Sequence, residues 1–92
     1  MITAKTADGF TVELDDELLN DSELLEAMVT MDKDITSLFM LRDRVLSAAD
    51  KARLYDHLRN QKGIVPADAL GEALGQLLAS FAAGKNSASS PD

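Results

Sequence analysis

Apolar and polar residues alternate strictly over residues 10–14. Phe10, Val12 and Leu14 stand at every second position, and an earlier β-prone run, ITAKT, precedes them. Ala-Asp-Gly separates the two runs, and Asp-Gly between β-prone segments is a strong hairpin signal. The pattern predicts a β-hairpin over about residues 2–14. A lone two-stranded hairpin is marginal in water, so one of its faces should pack against helices.

Three segments with helical spacing follow the hairpin, because their apolar residues recur three or four positions apart. A short polar residue precedes each segment and can accept a hydrogen bond from the first helical turn. The candidate caps are Asn20, Asp21 or Ser22 for the first helix, Asp34 for the second and Ser47 for the third. Gly63 is expected to end the third helix, since glycine is the usual C-terminal cap.

A fourth helix is predicted over residues 66–84, PADALGEALGQLLASFAAG, with Pro66 at its start and Gly84 at its end. Its leucines and alanines spread apolar surface around much of the circumference. Such a helix is either buried in the core or binds a partner or a second copy, and both can hold at different ends. The candidate partner-binding residues are Leu70, Leu74, Leu77, Leu78 and Phe81.

Gly71 and Gly75 form a G-x-x-x-G pair inside this fourth helix. Each glycine in a helix interior costs about 1 kcal/mol relative to alanine. Close approach of another helix or of another stretch of backbone is the natural compensation for that cost. The pair therefore marks one face of the helix as a place where a second segment is expected to come close.

Together these elements predict a mainly α fold, with about four helices packed in a small bundle and a short N-terminal β-hairpin. Residues 1–84 should form a single domain, and residues 85–92 a flexible polar tail. The fourth helix should supply both core and contact surface. The other residues expected in the core are Leu24, Leu25, Met28, Ile35, Leu38, Phe39, Val45, Leu46, Leu54, Tyr55 and Leu58.

Composition narrows the function classes. The chain has no cysteine, which excludes disulfides and cysteine-based metal sites. No run approaches the roughly 20 apolar residues of a membrane span, and the N-terminus does not resemble a signal peptide, so we expect a cytoplasmic protein. The formal charge of −7 divides into −8 over residues 1–34, +3 over 35–62 and −2 over 63–92. Such an acidic first third argues against nucleic-acid binding and favours a partner with a basic or strongly apolar surface.

The polar run Tyr55-Asp56-His57 is the most suggestive candidate for catalysis, since it holds the only histidine and the only tyrosine. Successive helical residues point about 100° apart, so the three side chains face different directions and Asp56 cannot orient His57. His57 is therefore expected at the surface, while Tyr55 and Leu58 dock the third helix on the core. With no convergent set of polar groups, we expect no enzymatic activity and no metal, cofactor or small-molecule ligand.

Several stretches of the chain together carry a family resemblance. They are the hairpin-like start, the acidic segment LDDELLNDSELLEAM, the segment LYDHLR at 54–59, the turn from Gly63 to Pro66, and the tail KNSASSP at 85–91. In this order they resemble the small tail assembly chaperones of long-tailed bacteriophages, in the version of phages that infect Gram-positive hosts. The likeness covers most of the chain and is one of overall arrangement, because none of the stretches is a chemical motif.

The resemblance implies a non-enzymatic role in tail assembly. Such chaperones coat the tape measure protein, help to recruit tail tube subunits and leave before the virion is finished. Many are made in two forms, the longer one through a programmed ribosomal frameshift near the end of the short frame. Gly84-Lys85-Asn86 can be encoded by GGA AAA AAC, on which two tRNAs can re-pair after slipping back one base. A frameshifted longer form is therefore a hypothesis.

Two other function classes compete with this interpretation. A small acidic regulatory protein, such as an inhibitor or a nucleic-acid mimic, would bind through an ordered carboxylate patch, and its affinity would fall steeply with salt. A contact that buries apolar surface should tolerate salt better. A small enzyme would need polar groups that converge in a pocket, and the sequence offers no such set. Self-association through the fourth helix is compatible with either binding function.

Overall fold

The chain begins with a two-stranded antiparallel hairpin, and a short 3-10 helix and four α-helices follow within the described residues. The computed structural model describes the backbone of residues 1–89, and all of their side chains except those of Leu19 and residues 85–89. The elements are β1 (Ile2–Lys5), β2 (Thr11–Leu14), the 3-10 helix (Asp16–Asn20), α1 (Ser22–Thr30), α2 (Ile35–Val45), α3 (Ala48–Leu58) and α4 (Ala67–Ser89). The predicted mainly α class with an N-terminal hairpin is confirmed.

The hairpin forms where the alternating pattern predicts it. Its strands pair with Ile2 opposite Leu14, and the N–H of Thr6 donates to the carbonyl oxygen of Phe10 at 2.9 Å across the turn. The side chains of Phe10, Val12 and Leu14 are buried, while the polar residues between them are exposed. One face of the hairpin therefore joins the core, as a marginal two-stranded sheet requires.

Side-chain caps begin the first three helices. The side chains of Asp21, Asp34 and Ser47 accept hydrogen bonds from backbone N–H groups of the first turn at 3.0, 2.9 and 3.1 Å, respectively. Each cap satisfies a donor that has no partner within the helix. The predicted starts of the second and third helices are confirmed, and Asp21 is the cap among the three candidates for the first.

The predicted end of the third helix is wrong by several residues. α3 ends at Leu58, and Gly63 lies in the turn that follows it, with a φ of +81°. The N–H of Gly63 donates to the carbonyl of Asn60 at 3.0 Å, so these residues close a separate turn. Glycine serves a left-handed backbone position in both arrangements, and the sequence alone does not tell a helix cap from a turn.

The fourth helix also extends beyond its predicted end. α4 continues past Gly84 to Ser89 and so includes most of the predicted tail. The last part of that tail, residues 90–92, lies outside the described residues. Although α4 spans 23 residues, no helix in the described part of the chain is both long enough and apolar enough to cross a membrane.

α4 forms the centre of the core. Its buried residues share one broad face and are Leu70, Ala73, Leu74, Leu77, Leu78 and Phe81. The hairpin lies against this helix, since the N–H of Lys5 donates to Ser80 Oγ at 3.1 Å and the N–H of Ala7 donates to Gln76 Oε1 at 2.9 Å. The expectation that the fourth helix supplies core residues is confirmed.

Most of the other expected core residues are buried or partly buried, but three are not. The buried ones are Leu24, Leu38, Val45, Leu46 and Leu54. Those that pack partly buried against the core are Met28, Tyr55 and Leu58. The prediction is wrong for Leu25, Ile35 and Phe39, which are 42%, 54% and 40% exposed. α1 and α2 each turn a single narrow face to the core, because α4 occupies the centre that these helices would otherwise share.

Two neighbouring leucines of α1 test which face of this helix meets the core. We expect Leu24→Ala to lower the free energy of unfolding by about 2–5 kcal/mol, because Leu24 is fully buried. The matched change Leu25→Ala should cost less than about 1 kcal/mol, since exposed side chains contribute little. Urea denaturation followed by circular dichroism measures both values. Equal losses for the two variants would contradict the placement of α1.

The helical glycines of α4 give a second test. A Cβ atom at Gly84 would lie 2.9 Å from Cγ2 of Ile2, whereas at Gly71 and Gly75 the nearest atoms are 3.9 and 4.0 Å away. We expect Gly71→Ala and Gly75→Ala each to raise the free energy of unfolding by about 0.5–1 kcal/mol. Gly84→Ala should give no such gain, because its methyl group meets the hairpin. Destabilisation by the first two changes would contradict this account.

Candidate protein-binding groove

An open groove of about 690 Å³ lies between the connection of α1 to α2 and the N-terminal half of α4. One wall comes from the connection and the start of α2, and the other from one face of the first two turns or so of α4. The lining residues are Met31, Asp32, Lys33, Asp34, Ile35, Leu38, Ala67, Asp68, Gly71, Glu72 and Gly75. Every one of them lies on a helix or on the short connection, and none belongs to the hairpin.

The floor and one wall of the groove are apolar. Ile35 lines it with more than half of its surface exposed. Leu38 and Met31 face the two glycines of α4, with methyl groups 3.9 and 4.0 Å from where Cβ atoms would be. Phe39 is one helical turn beyond Ile35 on the same side of α2 and is also exposed, so the apolar strip continues past the groove.

The rim of the groove is acidic. It carries four carboxylates and one lysine, Lys33, which together give a formal charge of −3. The carboxylates belong to Asp32, Asp34, Asp68 and Glu72. Among the described ion pairs none involves these four carboxylates; Asp34 and Asp68 accept only backbone N–H groups. The four arginines of the chain are each paired with carboxylates elsewhere. The rim charge is therefore not neutralised by basic side chains of the described chain.

Local hydrogen bonds fix the wall that the α1–α2 connection forms. The backbone N–H groups of Lys33 and Asp34 both donate to the carbonyl of Thr30 at 3.0 Å. The hydroxyls of Thr30 and Ser37 join the two helices at 2.6 Å, and Asp34 caps α2. The connection is thus a tight, internally bonded turn, and the backbone donors of Lys33 and Asp34 are not available to an incoming strand.

The five residues predicted to bind a partner are not in this groove. Leu70, Leu74, Leu77, Leu78 and Phe81 are all at most 3% exposed and belong to the core. In this conformation they do not form an accessible surface, because the hairpin, α1, α2 and α3 cover the face of α4 that carries them. Their role in partner binding stays a prediction. The exposed part of α4 in the groove is the adjacent face with Gly71 and Gly75. The G-x-x-x-G spacing was the sequence signal for that face.

Polar side chains of α3 diverge as predicted. The hydroxyl of Tyr55 accepts from Arg42 Nη1 at 2.7 Å, Asp56 lies 3.7 Å from Arg59, and His57 meets a residue of another element. These three neighbours therefore have three separate partners. Tyr55 joins α3 to α2 and does not contribute to a common site with the other two.

His57 has a carboxylate partner that the sequence did not reveal. Its Nε2 lies 2.9 Å from Oδ2 of Asp8 in the hairpin turn, and its ring is 5.3 Å from the ring of Phe10. The hydroxyl of Thr6 also donates to Asp8, so the carboxylate stands between hydroxyl and imidazole. In a nucleophile–base relay the imidazole must contact the hydroxyl. This cluster instead ties the turn to α3, and it lies outside the groove.

Hydrogen bonding lowers the pKa of the Asp8 carboxyl below its ordinary value. The Thr6 hydroxyl contributes most, and the contact with His57 contributes next. A carboxyl whose pKa is lower in the folded chain than in the unfolded chain favours folding at neutral pH. That contribution disappears as pH falls through the folded pKa.

Comparison with known proteins does not identify this chain. No family model matches it, no curated protein matches it, and no solved structure matches it. The groove and the charge distribution are therefore the structural features that bear on function.

The Asp8 cluster gives a test by pH. Asp8→Asn should lower the melting temperature at neutral pH, because it removes the charged acceptor that Thr6 and His57 share. The difference from the original chain should shrink as the pH falls below about 4, the ordinary pKa of an aspartate, and should vanish once the carboxylate is protonated in the folded state as well. Thermal melts monitored by circular dichroism measure it. The exposed Asp56→Asn is the control, and an unchanging difference across this range would contradict the assignment.

Proposed function

We propose that this protein is a non-enzymatic assembly chaperone for the tails of long-tailed bacteriophages. It acts in the cytoplasm of the bacterial host, binds the tape measure protein, helps to recruit tail tube subunits and is absent from the finished virion. The observation that carries the proposal is the open apolar groove with its acidic rim. The resemblance of the sequence supplies the biological setting, and the proposal includes the longer frameshifted form that the resemblance implies.

The groove suits the task of covering a long helical chain that would otherwise aggregate. Exposed apolar side chains at Ile35 and Phe39 can take up an apolar stretch of the client. The chaperone as a whole carries a net charge of −7, and such charge keeps a complex soluble by repulsion between copies. An apolar contact beside a charged exterior is what an escort for an insoluble partner requires.

A binding function fits the chemistry of the groove better than a catalytic one. Its polar groups are rim carboxylates and Lys33, and no hydroxyl nucleophile or imidazole lines it. The one histidine is engaged with Asp8 beside the hairpin turn. General acid–base catalysis needs a positioned pair next to a bound substrate, and the described residues of the groove offer none.

The unpaired carboxylates of the rim are the one feature that favours the competing function, an acidic regulatory protein. The two functions differ in their response to salt. Raising the salt to about 0.5 M shortens the Debye length to a few Å and should greatly weaken binding that depends on carboxylates alone. Binding that buries apolar side chains should keep most of its affinity, since salt does not screen the hydrophobic effect.

Two exposed residues test the proposed function. Ile35 lines the groove and Val29 does not, although Val29 is 79% exposed on α1. We expect Ile35→Asp to weaken binding of the tape measure protein by about tenfold or more. The change removes an apolar side chain that the complex would bury and puts a charge in its place. Val29→Asp should bind like the original chain. Co-expression with the tape measure protein, followed by measurement of its soluble and co-purified fractions, gives the readout.

Both substitutions are at exposed positions, so circular dichroism should show that both variants stay folded. Failure of the original chain to keep the tape measure protein soluble or to co-purify with it would overturn the proposed function. Equal activity of the two variants would instead show that the contact lies outside the groove.

A further inference from the structure

We propose that the groove binds one amphipathic α-helix of a partner protein, with an apolar face on Ile35, Leu38 and the notch at Gly71 and Gly75, and with lysines or arginines along its flanks. This inference deepens the proposed function and rests on it for the identity of the client. It specifies the kind of segment that the client must present. Three separate observations lead to it.

The first observation is that the chain itself gives no reason for two glycines in the middle of α4. Neither residue is among the glycines with a positive φ, and both lie within regular helix. Cβ atoms at Gly71 and Gly75 would make ordinary contacts with Leu38 and Met31, at 3.9 and 4.0 Å. Alanine would therefore fit and would favour the helix. A segment of another molecule that approaches the backbone closely at this face would account for both glycines.

The second observation is the shape of the groove. From Ala67 to Gly75 its α4 wall spans nine residues, whose first and last Cα atoms are about 12 Å apart along the helix axis, or a little more than two turns. Glycines four residues apart leave a gap in the i±4 ridge of side chains, and a crossing helix packs its own ridge into such a gap. A strand is a poorer fit, because the N–H groups of Lys33 and Asp34 are already bonded to Thr30.

The third observation is the charge of the rim, which selects the chemistry of the occupant. Four carboxylates and one lysine surround the apolar floor, and no described arginine pairs with those carboxylates. An acidic or neutral helix would gain nothing from them, whereas lysines and arginines flanking an apolar face would meet opposite charge on both walls. The occupant is therefore a basic amphipathic helix.

Binding of two matched peptides tests the inference directly. Each peptide has about 18 residues, enough for about 27 Å of helix, with the same leucine and alanine face; one carries lysines and arginines on its flanks and the other glutamates. Isotope-labelled protein is titrated with each, and amide chemical shifts are followed by NMR. We expect only the basic peptide to bind, with shifts centred on residues 31–35 and 67–75.

Variants that fill the notch separate loss of binding from loss of folding. Gly75→Leu should weaken binding of the basic peptide by about tenfold or more, because its side chain occupies the groove. The same variant should be at least as stable as the original chain, since leucine favours a helix over glycine. Ala79→Leu places the same leucine side chain at an exposed position of α4 outside the groove, and should leave binding unchanged.

Charge variants test the flanks of the peptide. Asp68→Asn and Glu72→Gln should each weaken binding of the basic peptide by about twofold to fivefold at low salt. Glu26→Gln removes an exposed carboxylate of α1 that does not line the groove, and should have no effect.

The inference would be overturned by equal binding of the two peptides, by shifts that map to another surface, or by unchanged binding by Gly75→Leu. Absence of any binding at about 1 mM peptide would overturn it too. Concentration-dependent dimerisation that the basic peptide does not displace would show that a second copy occupies the groove instead. None of these results depends on the tape measure protein. If the chaperone keeps that protein soluble through a different surface, the peptide experiments fail while the co-expression experiment succeeds.

Discussion

The contact between β1 and α4 determines where the other elements lie. Ser80 and Gln76 of α4 accept the backbone N–H groups of Lys5 and Ala7, so the helix covers one edge of the hairpin. Gly84 allows α4 to approach β1 closely, because any side chain would meet the methyl group of Ile2. With the hairpin on one side of α4, the pair α1 and α2 packs on its flank. The gap left between that pair and the first turns of α4 is the groove.

The basic side chains are largely used to hold this arrangement together. Arg44 of α2 pairs with Asp21 and Glu23 at the start of α1, and Arg53 of α3 donates to the carbonyl of Thr11 in β2. Each exposed pair contributes little free energy, but together they orient neighbouring elements. Because the arginines are engaged in this way, the acidic surplus of the sequence appears as carboxylates without basic partners around the groove.

Features decided by nearby residues could be read from the sequence, and those decided by packing between elements could not. The hairpin and the caps Asp34 and Ser47 depend on hydrogen bonds within a few residues, and they form as expected. Periodicity identifies the apolar face of a helix, but it does not say which helix is central. α4 took that place, so its leucines are buried and Ile35 is exposed. Likewise, the partner of His57 is 49 residues away, in a turn that no local pattern connects to α3.

The glycines of α4 have different structural reasons within one helix. Gly84 is explained within the chain, by the methyl group of Ile2 at 2.9 Å. Gly71 and Gly75 have room for a side chain and weaken the helix that forms the core. Natural proteins often give up stability at the surfaces they use for function. The two glycines line the groove, and the adjacent face of α4 carries the buried leucines. One face of the helix therefore stabilises the fold, while the other lacks side chains at a cost in stability. The proposed interaction surface thus lies beside the core residues and not among them.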